Sequence, residues 1–172
     1  MKNFLAFGVF LICSGGGIYL SVVLKKRSQM LAMLAELMNA FQRVMEKKKC
    51  SVREAAEQVQ KSFDDPNGQI LLNGLIKAWE TPGNIEHAWN CTLEEICQNV
   101  PDFIMLQADE KARLARFVRD QAISEFQSEC SKIGATVWED RAKIAKEVYM
   151  TKGKLYGKLG LLLGLTLVIL MM

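Results

Sequence analysis

The side chains suited to chemistry are few and scattered. The sequence holds one histidine, His87, and five cysteines, Cys13, Cys50, Cys91, Cys97 and Cys130. His87 and Cys91 lie four apart, on one face of a helix, and Cys97 follows six later. With Cys50 or Cys130 folded against them they would compose a soft-metal or thiol-sensing set. Against that reading, structural zinc sites favour tight C-x-x-C or H-x(3–5)-H knuckles, and free cysteines are among the most often buried residues. Glu94-Glu95 and Asp109-Glu110 offer paired carboxylates for acid–base work, but adjacent helix positions point in different directions, and such runs usually form a solvated face. The sequence contains no G-x-S-x-G or H-E-x-x-H arrangement. Thr151-Lys152-Gly153-Lys154 lacks the preceding strand and the spaced glycines whose amides cradle phosphate. These residues predict a protein that is not an enzyme, with no catalytic residue, no cofactor and no metal site.

The elements that would position these side chains are helical. Met30, Leu34, Leu37, Phe41 and Val44 recur by four and three on one face, and Lys47-Lys48-Lys49 suits the carbonyl end of that helix. Ser51 and Glu54 form a capping box for a second helix through Phe63, and Asp64-Asp65-Pro66-Asn67-Gly68 turns the chain. A third helix buries Ile70, Leu71, Leu75, Ile76 and Trp79 before Thr81-Pro82-Gly83 stops it. Asn84 caps a fourth, which carries Ala88, Trp89 and Ile96, and Val100-Pro101-Asp102 breaks the chain again. From Phe103 to Tyr149 there is no proline and one glycine, Gly134, so one or two long helices follow. No strand-like alternation occurs. The short turns predict an all-α fold, an antiparallel up-and-down helical bundle of about six helices between N- and C-terminal transmembrane helices.

The membrane helices are read from the apolar ends. Phe4 to Leu24 is 21 residues without a charge, enough helix to span about 30 Å of hydrocarbon. The basic Lys25-Lys26-Arg27 that follows replaces a small-residue cleavage site, which favours an uncleaved anchor over a signal peptide. Leu155–Met172 holds one charge, Lys158, near its start, where a lysine snorkels to headgroups. Lysine and arginine concentrate on the inner sides of both segments, so the expected organisation is a 1–27 anchor with its basic flank, a 28–154 cytoplasmic bundle and a 155–172 second span, two passes in all. The odd cysteine count suits a reducing compartment. Of the 22 basic residues, five (Lys2, Lys25, Lys26, Arg27 and Lys158) belong to the membrane segments and their flanks, leaving 17 against all 19 acidic residues in the central region. A slightly acidic domain argues against nucleic acid as a partner.

Two surface patterns remain. Lys111, Arg113, Arg116 and Arg119 form a basic ridge interleaved with Asp109, Glu110 and Asp120. It reads either as a solvated helix face or as a docking surface for an acidic protein or anionic lipid. Gly153, Gly157, Gly160 and Gly164 fall on one helical stripe that lets another helix approach closely, and the first span offers Gly8 and Gly15 one heptad apart. The partner of the stripe is either the chain's own first span or another subunit.

The layout of 172 residues, Lys25-Lys26-Arg27 after the first span, Glu54-Ala55 early in the second helix, Gly83 followed by Ala88-Trp89, and the ending Leu159-Gly160 to Leu170-Met171 together resemble the stage III sporulation protein AB family. The soluble part of that family is similar to the F-type platform proteins of type II secretion. Ser51-Val52 stands where the family usually has Pro-Leu, and Val118 and Ala122 where it has glycines. The resemblance implies a noncatalytic platform of a secretion-like channel complex in the mother-cell membrane around the forespore. Its implied partners are a cytoplasmic secretion-type ATPase, other membrane channel subunits and membrane lipid. A membrane-anchored metal or thiol sensor and a lipid-surface regulator are the alternative readings.

Overall fold

The structure is a computed structural model that describes residues 2–123 and 127–171. Its elements run α1 (Lys2–Lys48), α2 (Val52–Ser62), α3 (Pro66–Glu80), α4 (Ile85–Asn99), α5 (Pro101–Ile104), α6 (Ala108–Ile123), α7 (Gln127–Val148), a π turn (Tyr149–Gly153) and α8 (Lys154–Met171). The described residues contain no strand. The chain forms two compact units, one of Met30–Ala142 and one of Met1–Gln29 with Lys143–Met172.

In the Met30–Ala142 unit the helix boundaries follow local hydrogen bonding. Ser51 and Glu54 make the reciprocal capping box at α2. Asp65 accepts from Asn67 and Gly68 at the start of α3, where Pro66 occupies a position that needs no amide. Asn84 caps α4 through Glu86 and His87. The Val100-Pro101-Asp102 break starts the single turn of α5 instead of an open loop. Phe63 ends α2 as its C-cap and is buried.

Pair partners give the topology. Arg53 meets Glu80 and Gln60 meets Asn73, so α2 and α3 run antiparallel. Glu86 meets Arg119 and Trp89 meets Leu114, so α4 and α6 do as well. Gly74 allows α3 to approach α4, since a Cβ there would lie 2.9 Å from Thr92 Cγ2 and 3.0 Å from Ile96 Cδ1. The core gathers Leu34, Phe41, Val59, Leu72, Phe103, Leu114 and Val118, and Phe41 and Phe117 pack edge to face with centroids 5.8 Å apart. Val118 is fully buried, a gain in apolar burial that a glycine there would lack. Ile70, expected inside, is 36% exposed because Leu71, Leu72 and Leu75 take the inner face of α3.

In the second unit α1 and α8 pack against each other in opposite directions. A Cβ at Gly157 would lie 3.8 Å from Ser21 Cβ, one at Gly17 would lie 2.9 Å from Gly160 Cα, and one at Gly164 would lie 2.9 Å from Phe10 Cδ2. The outward residues, among them Leu11, Ile12, Ile18, Leu161, Leu162 and Leu163, are exposed and apolar. Among the described residues one helical stretch, Gly134–Leu170, is long and apolar enough to cross a membrane.

α1 ends at Lys48, and Lys49 closes it in the left-handed region at φ 47° while its amide donates to Met45 O at 2.9 Å. A side chain there strains the backbone that glycine adopts freely. Lys49→Gly is expected to stabilise the full-length protein in detergent by roughly 0.5–1 kcal/mol, read from guanidinium unfolding.

Candidate functional site

Of the carboxylates that suggested acid–base chemistry, Asp109 and Glu110 have structural partners. Glu110 is 1% exposed. Its Oε2 accepts from the Gln107 amide at 2.7 Å, closing the first turn of α6, and its Oε1 lies 3.6 Å from Arg141 on α7. Asp109 Oδ2 lies 2.6 Å from the same guanidinium, which holds the Asp109 carboxyl below its ordinary range. One arginine, which no local pattern in the sequence singles out, thus joins the start of α6 to α7. Trp89, buried, donates its indole N–H to Leu114 O at 2.9 Å and pins α4 to the middle of α6.

Between α4 and α6 lies an open trough of about 600 Å³ lined by Asn90, Leu93, Glu94, Cys97, Gln98, Lys111, Ala112 and Ala115. Cys97 is buried in its floor. Burial pushes its thiol pKa up, with Lys111 drawing it down and Glu94 raising it further, which keeps the sulfur protonated and poorly nucleophilic at neutral pH. Lys111 stands on the α6 rim. Arg113 and Arg116 are exposed on α6 and form no ion pair with any described carboxylate, while Arg119 pairs with Glu86 at 3.7 Å. The ridge expected from spacing therefore divides, with Lys111 at the trough, Arg113 and Arg116 on the open face, and Arg119 committed to α4.

His87 Nε2 and Cys91 Sγ lie 3.8 Å apart on the exposed face of α4. Cys97 is on the buried face, and no three His, Cys, Asp or Glu residues converge as a metal site among the described residues. The side chains of Cys13 and Cys130 lie outside the described ones.

The glycines sort by neighbour. Gly157, Gly160 and Gly164 of α8 face α1, whereas a Cβ at Gly153 would meet the ring of Tyr149 in its own helix at 2.7 Å. Gly153 ends the π turn. Such a turn holds an extra residue, which offsets the faces after it by about 100° and removes Gly153 from the stripe. On α1 the approach point is Gly17, because Cβ atoms at Gly8 and Gly15 would meet nothing within 4 Å. The heptad count passed over Gly17. The run Gly15-Gly16-Gly17 was the visible signal, and only the register with α8 selects its last member.

Three outcomes test this geometry. Arg141→Ala leaves the buried Glu110 carboxylate without its guanidinium and is expected to destabilise the protein by about 3 kcal/mol in urea unfolding. Because the folded-state pKa of Asp109 is depressed, its contribution is present above the ordinary aspartate pKa and lost as pH falls through the lowered value, so Asp109→Asn should flatten the acid limb of the stability profile. Gly17→Leu should disrupt the α1–α8 packing more than Gly15→Leu, with a larger loss of thermal stability in detergent.

No curated protein and no solved structure matches the chain. The model of the stage III sporulation protein AB family matches residues 2–172, and the chain belongs to that family, with a role in stage III of sporulation.

Proposed function

We propose that the protein is a noncatalytic platform component of a secretion-like channel complex formed during endospore development. In this reading α1 and α8 are two membrane spans, residues 28–154 face the cytoplasm of the mother cell, and the bundle links other membrane subunits to a cytoplasmic ATPase. The observation that carries it is the α1–α8 pair: two apolar helices meet through glycine contacts while their leucine-rich outer faces stay exposed. Exposed leucines on both helices are costly in water and at home in lipid, and close glycine packing is how helices associate there. Lys2 outside, and Lys25, Lys26, Arg27, Lys152 and Lys154 inside, orient the pair. The engagement of Asp109 and Glu110 by Arg141 favours a scaffold over a catalyst.

A reporter fused after Asp65 in the full-length protein should be active only in the cytoplasm, and activity only outside it would remove the motor-facing domain from the account. In sporulating cells, crosslinking followed by affinity recovery should return both an ATPase and membrane channel subunits. Recovery of neither would contradict the platform role.

A further inference from the structure

The seam between α1 and α8 carries its lysines on one side. Gly17 meets Gly160 and Ser21 stands beside Gly157. At about 100° per residue, Lys25 and Ile18 lie about 40° and 60° round α1 from Ser21, and Lys154, Lys158, Leu161 and Leu165 lie between about 40° and 100° in the same sense round α8 from Gly157. Reversing a helix reverses its apparent winding, so in an antiparallel pair the same sense of rotation on both helices leads to the same side of the seam. Both lysines of α8 therefore share a side with Lys25. Along the axis, Lys25 and Lys154 lie about 5 Å beyond the Ser21–Gly157 contact toward the inner end, Lys158 is nearly level with it, and Ile18 and Leu161 lie about 5 Å deeper on the opposite side of it. All three lysines are exposed, and none pairs with a described residue. Glu147 is the only acidic residue of 1–29 and 143–172. Ile18, Leu161 and Leu165 are exposed as well. The surface is thus a basic head above an apolar wall, built from two helices. Positive charge that only orients a membrane protein has no need of one side. A free phosphate would use the lysines and leave the wall bare, whereas a zwitterionic lipid would cover the wall and bring its own cation against the lysines. An anionic phospholipid uses both parts.

We propose that this side of the α1–α8 hairpin holds an anionic phospholipid, its headgroup phosphate among Lys25, Lys154 and Lys158 and an acyl chain along Ile18, Leu161 and Leu165. The proposal rests on α1 and α8 being membrane spans, as in the platform reading, and names the class of lipid they select. The Gly17–Gly160 contact brings the lysines of two helices to one headgroup, and the long apolar stem of Lys158 lets its ammonium rise to the level of the other two.

The test offers the full-length protein, in detergent micelles, equal amounts of phosphatidylglycerol and phosphatidylcholine of the same acyl chains, and counts bound lipid by native mass spectrometry. The unmodified protein should retain phosphatidylglycerol at least about tenfold over phosphatidylcholine. Combined Lys25→Gln, Lys154→Gln and Lys158→Gln should bring the ratio near one, and arginine at the same three positions should keep it high. Combined Lys47→Gln, Lys48→Gln and Lys49→Gln, which removes as much charge at the far end of α1, should also keep it high. Soluble glycerophosphate at matched concentration should not displace the lipid. Equal retention of the two lipids by the unmodified protein would overturn the proposal, whatever the variants do. So would a ratio unchanged by the Lys25, Lys154 and Lys158 substitutions, an equal loss in the Lys47–Lys49 variant, or displacement by glycerophosphate, which would mark a phosphate site without a lipid. If the unmodified protein shows no lipid preference while ATPase and membrane subunits are still recovered with it from sporulating cells, the lipid proposal falls and the platform reading stands. If alkaline carbonate releases the unmodified protein from membranes, the two-span reading falls, and the lipid proposal with it.

Discussion

The contact between Gly17 of α1 and Gly160 of α8 is the constraint on which the pairing of the two terminal helices depends. A Cβ on Gly17 would lie 2.6 Å from Tyr156 O and 2.9 Å from Gly160 Cα, inside any tolerable approach, so the two backbones touch directly. In the proposed membrane setting apolar side chains gain nothing by leaving lipid for one another, and what would hold the helices together is dispersion between surfaces that fit. The fit is set by register. With Gly17 opposite Gly160, Ser21 falls beside Gly157 and Phe10 beside Gly164. The π turn at Tyr149–Gly153 sets which face of α8 carries those glycines, and the Tyr149 ring covers the last residue of that turn.

The Met30–Ala142 unit solves a different problem, since its helices are short and their ends need partners. One pair of carboxylates that resembles a catalytic set in the sequence is spent on such an end. Glu110 closes the first turn of α6 and faces Arg141, and Asp109 shares the same guanidinium. Removing two charges from water is repaid only when their hydrogen-bonding capacity is filled, and the Gln107 amide helps fill it here. The α4–α6 crossing leaves open a trough with Lys111 and Glu94 in its lining.

Local features of this fold were legible in the sequence, and tertiary ones were not. Ser51 with Glu54 and Asn84 act within one helical turn and cap the helices expected of them, and Asp65, expected only as part of a turn, caps α3 in the same way. The apolar spacing of α1 places Met30, Leu34, Leu37 and Phe41 inside, as periodicity requires. Ile70 fails the same test because a helix with apolar residues around much of its circumference does not say which of them faces the core. Arg141 lies more than thirty residues from the carboxylates it serves, and no spacing rule reaches across that distance. The glycines show both cases. The stripe on α8 followed from its own spacing, but Gly153 left it through a π turn that the sequence does not announce, and Gly17 was chosen by its partner helix. The trough was invisible for the same reason, since Leu93, Cys97 and Ala115 become one surface only after α4 and α6 meet.

The central claim is that α1 and α8 form an intrachain hairpin in the membrane. Ser21 Cβ and a Cβ at Gly157 would be 3.8 Å apart, within the span of an unstrained disulfide. The direct measurement is oxidation of Ser21→Cys/Gly157→Cys in native membranes, with the other cysteines replaced by serine or alanine, read by gel mobility and by mass spectrometry of the linked peptides. The account predicts a bond within one chain, formed rapidly and without dimers, and none in a Gly15→Cys/Gly157→Cys control. Bonds only between chains, or equal bonding in the control, would contradict it.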